Sequence, residues 1–344
     1  MTKFWVILLA FFLPAAGFSQ SAAGDSTLPA KPIDSLGIIP VDTTDYDALF
    51  QDFDAFMDSI LAPHSYFMGA VSMSRGYYNF ESKTTELLDP EQKMTYSPLL
   101  GYYSKKGWGL TATGLVVHDG ENLNLYQWGI TPSFDFLANR KFAAGLAYTR
   151  FFTKDSLPFY TTPIQNEVSA YFTWRKWWIK PGISVSYGWG SRKEYEARET
   201  LIQDLRLRRR GFTYINTKET IGDFSVAAMV RHDFYWLDVL AFKDHVRVTP
   251  QLVFTCGTQK FGFNQSSSTY GTTIRTSSNV LYSTDNLYLD DKIDFQPLSL
   301  TFNLRTEYSI GKFFIQPQAV FDYYFPAPEK NFNALFSLNL GFIF

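Results

Sequence analysis

The last thirteen residues, Phe332 to Phe344, put Ala334, Phe336, Leu338, Leu340, Phe342 and Phe344 on one face and Asn333, Ser337, Asn339 and Gly341 on the other. Leu335 and Ile343 are the exceptions. Side chains of an extended strand alternate between two faces, so this stretch has an apolar side and a mostly polar side. Similar period-two segments of roughly ten residues recur along the chain, separated by polar or glycine-containing breaks. Helices packed in a bundle would instead repeat apolar residues at three and four residue spacing.

The opposite end reads as an export signal over residues 1–19: Lys3, an apolar run from Phe4 to Leu13, then Ala15, Ala16, Gly17 and Ser19 before Gln20. That run is too short to cross a bilayer as a helix, and no later segment has the roughly 18–20 uninterrupted apolar residues a spanning helix needs. Any membrane crossing is therefore made by strands. The chain is 46% hydrophobic and 18% aromatic, yet its mean hydropathy is only −0.13, as alternation of apolar and polar positions requires. The expected fold class is all-β, a single closed antiparallel transmembrane barrel of about twelve strands in a bacterial outer membrane, preceded by a short periplasmic helix.

Residues 20–45 are rich in Ser, Thr, Pro, Ala and Asp and read as a flexible periplasmic linker. Residues 46–62 hold an acidic amphipathic helix, with Leu49, Phe50, Phe53, Phe56, Met57 and Ile60 on one side, Asp47, Asp52, Asp54 and Asp58 between them, and Pro63 beyond its end. The barrel takes residues 64–344. Its strands are expected at 66–79, 93–104, 107–118, 122–136, 140–153, 166–177, 179–190, 221–235, 245–259, 298–308, 312–324 and 332–344. With the linker periplasmic, the short connections fall on the periplasmic side and the long ones, including 191–220 and 260–297, outside. Pro181, Pro250 and Pro317 each follow a short turn and remove a ladder donor, so they are expected to mark bulges.

Placing the large apolar residues on lipid turns Ser184, Ser186 and Gly188 inward on the seventh strand, Arg247, Thr249, Gln251 and Thr255 on the ninth, Ser299, Thr301, Asn303, Arg305 and Glu307 on the tenth, and Gln316, Gln318 and Asp322 on the eleventh. The inward charges Arg175, Lys180, Arg231, Asp233, Arg247, Arg305 and Glu307 gather toward the periplasmic ends as a net basic patch. These are the candidate solute-binding residues, acting by charge and hydrogen bonding. Two placements are open for the acidic helix: folded back on this patch as a plug, or exposed and free to bind a periplasmic partner through residues 20–62. A polar lumen open along its length favours transport. A lumen filled by Tyr103, Phe151, Tyr171, Tyr324 and the helix favours a partner-binding role.

The chemistry of other classes is poorly represented. Cys256 is the single cysteine, which excludes an internal disulfide, a cysteine-rich metal site and a lipid-modified amino terminus. None of His64, His118, His232 and His245 stands in a hydrolase pattern, and His232 and Asp233 point to opposite faces of a regular strand. No cofactor motif is present. Asp285, Asp290, Asp291 and Asp294 lack the order of a calcium loop. The run Leu205-Arg206-Leu207-Arg208-Arg209-Arg210 lies in an external connection with Glu194, Glu196, Glu199 and Asp204, where lipopolysaccharide is the nearer anion and no nucleic acid is expected. The expected function is a narrow channel for small polar or anionic solutes, with a non-conducting structural or assembly component as the alternative and a hydrolase third.

The signal peptide, polar linker, alternating strands and terminal Phe344 resemble outer-membrane β-barrel proteins of the Bacteroidota as a class, over nearly the whole mature chain. The resemblance implies contact with outer-membrane lipid and lipopolysaccharide, and insertion by barrel-assembly machinery through the strand ending at Phe344. Asp25-Ser26-Thr27, Asp34-Ser35-Leu36, Asp42-Thr43-Thr44, Asp58-Ser59-Ile60 and Asp155-Ser156-Leu157 resemble that group's O-glycosylation triplets, the first three within the linker.

Overall fold

A computed structural model describes residues 64–81, 88–118, 123–136, 139, 141–210, 221–258, 294–326 and 331–344. The strands are β1 (Tyr66–Glu81), β2 (Leu88–Tyr103), β3 (Trp108–His118), β4 (Leu123–Phe136), β5 (Phe142–Thr153), β6 (Asn166–Trp174), β7 (Lys180–Trp189), β8 (Gly222–Arg231), β9 (Phe234–Leu237), β10 (Asp244–Gly257), β11 (Gln296–Ile310), β12 (Phe313–Tyr324) and β13 (Phe332–Ile343). A helix, α1 (Arg192–Arg210), stands between β7 and β8. The signal, the linker and the acidic helix expected over 46–62 lie outside the described residues, as do Asp285, Asp290 and Asp291.

β8 and β9 are one stave, because the pairs Arg231↔Gln251 and Phe234↔Val248 share a single register across residues 232 and 233. Consecutive staves pair antiparallel, and β13 returns to β1 with Ala70 opposite Gly341 and Ser72 opposite Asn339. The sheet is thus a closed antiparallel barrel of twelve staves. Strand positions agree with the alternation in the sequence to within a few residues. On β13, Phe336, Leu338 and Phe342 are exposed on the outer wall while Ser337, Asn339 and Gly341 are buried inside. Trp108, Leu110, Trp128, Leu146, Phe172, Ile183 and Leu252 continue the apolar exterior, the surface a bilayer requires.

Two expectations are corrected. The prolines do not shift the register. They open gaps in one ladder each, because a proline can accept but not donate. His232 N–H donates to Pro250 O at 3.2 Å and receives nothing back. The β11–β12 ladder skips from Arg305↔Gln318 to Tyr308↔Ile315 around Pro317, and β2–β3 and β4–β5 skip likewise around Pro98 and Pro132. Pro181 pairs with Val230 and lies one residue beyond Gly182, the last β7 partner of β6. Inward side chains bridge three of these gaps: Thr249 Oγ1 to Asp233 Oδ1 at 2.8 Å, Gln316 Nε2 to Glu307 Oε2 at 2.8 Å, and the Thr131 and Thr149 hydroxyls at 3.0 Å. Register shifts occur instead at Thr255/Cys256 and at Leu115/Val116, and the extra residue opposite the latter is Tyr126, buried beside buried Gln127. The second correction concerns 191–220. Its first part is α1, whose Tyr195, Arg198 and Ile202 are buried, so the connection begins as a packed helix.

Short turns gather on one rim. In the β9–β10 turn, the Asp244 carboxylate accepts the N–H groups of Val239, Leu240 and Ala241 at 2.7, 2.9 and 2.8 Å, and Asp238 Oδ1 accepts that of Lys243 at 2.7 Å. Asp244→Ala removes three charge-assisted hydrogen bonds and is expected to lower the guanidinium midpoint in detergent micelles, whereas Asp244→Asn should lower it less.

Candidate functional site

The short-turn half of the lumen has two unlike walls. On β1, β2 and β12 the inward residues Met68, Ala70, Leu99, Tyr103 and Phe314 form an apolar cluster. The wall from β6 to β11 carries the charge. Parity turns Lys180, Arg231, Asp233, Arg247, Arg305 and Glu307 inward, and antiparallel pairing sets Lys180 opposite Arg231 and Arg247 opposite Glu307. Arg175, just beyond β6, is half-buried. The structure therefore brings all seven sequence-selected residues to one region. Arg231 senses the charges of Asp233, Arg247 and Arg175, and Arg305 those of Arg247, Arg231, Glu307 and Asp233.

Each carboxylate is fully engaged. Lys180 Nζ donates to Asp233 Oδ2 at 2.6 Å, and Arg231 Nε stands 4.0 Å from the same oxygen. Arg247 Nη2 donates to Glu307 Oε2 at 2.6 Å and Gln316 Nε2 donates to it at 2.8 Å, while Asn339 Nδ2 donates to Gln316 Oε1 at 3.1 Å. His245 Nε2 lies 3.8 Å from Glu307 Oε1. The result is a belt of polar contacts running from β7 across β10, β11 and β12 to β13. Guanidinium and ammonium groups exceed carboxylates in it, which suits an anion.

Sequence reading missed a further member. Asp135 of β4, Gly145 of β5 and Tyr171 of β6 lie in one row, and the Tyr171 hydroxyl donates to Asp135. A Cβ on Gly145 would collide with both, so the glycine is the passage through which Tyr171 reaches across a strand. Tyr103, Phe151, Tyr171 and Tyr324 are all buried inward. His232 turns outward, its Nδ1 2.6 Å from Trp178 O and its ring between Trp178 and Phe234, as the opposite-face expectation requires. Toward the other rim, Glu167 of β6 is 1% exposed, between Thr149 and Gly188 in the ladder, and neither carboxylate oxygen has a hydrogen-bond partner.

Neither a protein-family model nor a curated relative matches the sequence. Solved structures with a similar trace include the NanC porin (7% identity, 80% of this chain and 98% of that one, TM-score 0.36). The translocator domain of the autotransporter NalP from Neisseria meningitidis (10%, 88% and 97%, TM-score 0.37) and Pseudomonas aeruginosa OprD (8%, 81% and 95%, TM-score 0.29) are others. Likeness at this level does not bear on what the barrel does.

The two buried acids should respond in opposite directions. Glu307→Ala strips Arg247 and Gln316 of their acceptor and is expected to cost about 3–5 kcal/mol in unfolding free energy. Glu167→Met replaces a buried carboxyl group that has no hydrogen-bond partner with an apolar side chain of similar length and is expected to raise stability by about 1–3 kcal/mol, both measured by denaturant titration in micelles.

Proposed function

We propose that this chain is a narrow outer-membrane channel for small polar anions, with its short-turn rim toward the periplasm. One observation carries the reading: five basic groups, Arg175, Lys180, Arg231, Arg247 and Arg305, converge inside the barrel on Asp233, Glu307 and, through Arg175, Asp135. A cationic excess in a low-dielectric passage attracts anions and repels cations. A wall whose only task is to seal a barrel is cheaper to build from apolar side chains, since buried charges are costly to desolvate. No catalytic role is proposed. Lipid and lipopolysaccharide meet the apolar exterior, the assembly machinery meets the strand ending at Phe344, and residues 20–62 are available to a periplasmic partner.

A second reading, a non-conducting barrel that anchors or recruits a partner, is favoured by the inward burial of Tyr103, Phe151, Tyr171 and Tyr324. Planar-bilayer recordings of the full-length protein separate the two. Under a salt gradient the channel is expected to show small steps whose reversal potential reports anion preference, weakened in Arg305→Gln. Traces without steps at any voltage, from protein with a folded barrel's gel mobility, would put the second reading first.

A further inference from the structure

The rim opposite the short turns carries two segments that the charged belt does not need. Residues 154–165, joining β5 to β6, dip into the barrel. Phe159 is fully buried, its ring edge-on to Tyr78 of β1 at 5.1 Å and to Tyr126 of β4 at 5.3 Å, with Leu115 and Val117 of β3 in the same cluster. Tyr78 Oη is 2.6 Å from Thr95 Oγ1 of β2, so the seat is tied to the wall. A β5–β6 connection that touches β1 has crossed four staves.

The other side of the same segment faces α1. Tyr160 and Ile164 pack with Tyr195 and Ile202 of the helix, a cluster separate from the one around Phe159. Arg198, itself buried, donates to Thr161 Oγ1 at 2.7 Å and pairs with Glu194, whose Oε2 accepts from Gln165 Nε2 at 3.1 Å. From the end of β7, α1 reaches β2, five staves away one way round and seven the other. Nineteen residues of helix span about 28 Å, and twelve staves spaced about 4.8 Å and tilted about 40° enclose a barrel about 24 Å across. The helix is long enough to bridge the mouth.

We propose that α1 and residues 154–165 form a lid on the proposed channel, with Phe159 as its stopper. The role as a regulator rests on the channel reading; the closure itself does not. Packing against α1 accounts for Tyr160 and Ile164, but Phe159 packs on the inner wall, where a loop with no closing role has no reason to go. Helix and loop are joined by the hydrogen bonds from Arg198 to Thr161 and from Gln165 to Glu194, and the stopper meets Tyr78 and Tyr126 through ring contacts. Helix and loop thus pack as one unit over the mouth. Ser156, three residues before Phe159, holds a φ of 56°, a conformation unfavourable for a residue with a Cβ and a place where motion can relax the chain.

The test uses full-length protein in lipid vesicles, with Cys256→Ser and one reporter cysteine per protein: Ser97→Cys, inward on β2, or Met68→Cys, inward at the short-turn rim. A charged methanethiosulfonate reagent reads the labelling rate of each. Phe159→Ala, and separately Tyr126→Ala, should speed labelling at position 97 relative to position 68 by about tenfold, while Phe159→Leu stays near the parent. An unchanged ratio in both alanine variants, with barrel mobility on gels intact, overturns the lid. Faster labelling with silent bilayers keeps the lid and removes the channel.

Discussion

Every backbone N–H and C=O of a segment crossing lipid must find a partner within the protein, because a bilayer core offers none. Closure of the sheet at β1–β13 and β10–β11 meets that demand, and the rest follows from it. Once the sheet is a cylinder, each strand has a lipid side and a lumen side, and a period-two sequence fills both without further instruction. The prolines show how strictly the demand is met: where Pro250, Pro317 and Pro132 withhold a donor, inward side chains of Thr, Gln, Asp and Glu bond across the gap.

The same closure creates an interior that is not lipid and must be satisfied by its own chemistry. Around Glu307 the solution is a network, with Arg247, Gln316 and Asn339 sharing donors and acceptors in sequence across four strands. Such a network is worth more intact than its pairwise parts suggest, and each member becomes expensive to remove. Glu167 is the counterexample, a buried carboxyl group without a hydrogen-bond partner, set between Thr149 and Gly188 in the ladder. Charge is therefore distributed unevenly along the axis, with the basic groups and their paired carboxylates near the short turns and the acids Glu167, Asp223 and Asp322 buried toward the opposite mouth.

Much of this was legible because strand periodicity is local. Parity alone put Lys180, Arg231, Arg247, Arg305 and Glu307 inside, and closure then brought strands distant in sequence to one wall. Pairing partners were not legible, since the reach of Tyr171 to Asp135 depends on Gly145 intervening across three strands. The bulge that turns Tyr126 inward, and α1, were missed for a related reason. A single inserted residue leaves no periodic trace, and a connection dense in charges reads as solvated whether or not a helix within it has a partner to cover. Phe159 carries no signal, because its burial is decided by walls formed four staves away.

The most direct measurement is a nitroxide scan along β13 in lipid vesicles, one label at a time from position 334 to position 343 in a Cys256→Ser background. Collision with oxygen, which concentrates in lipid, should rise and fall with a period of two, high at 336, 338, 340 and 342 and low at 337, 339 and 341. A profile without that alternation, or with the opposite phase, would contradict a barrel whose outer wall faces lipid and whose polar wall is sealed within.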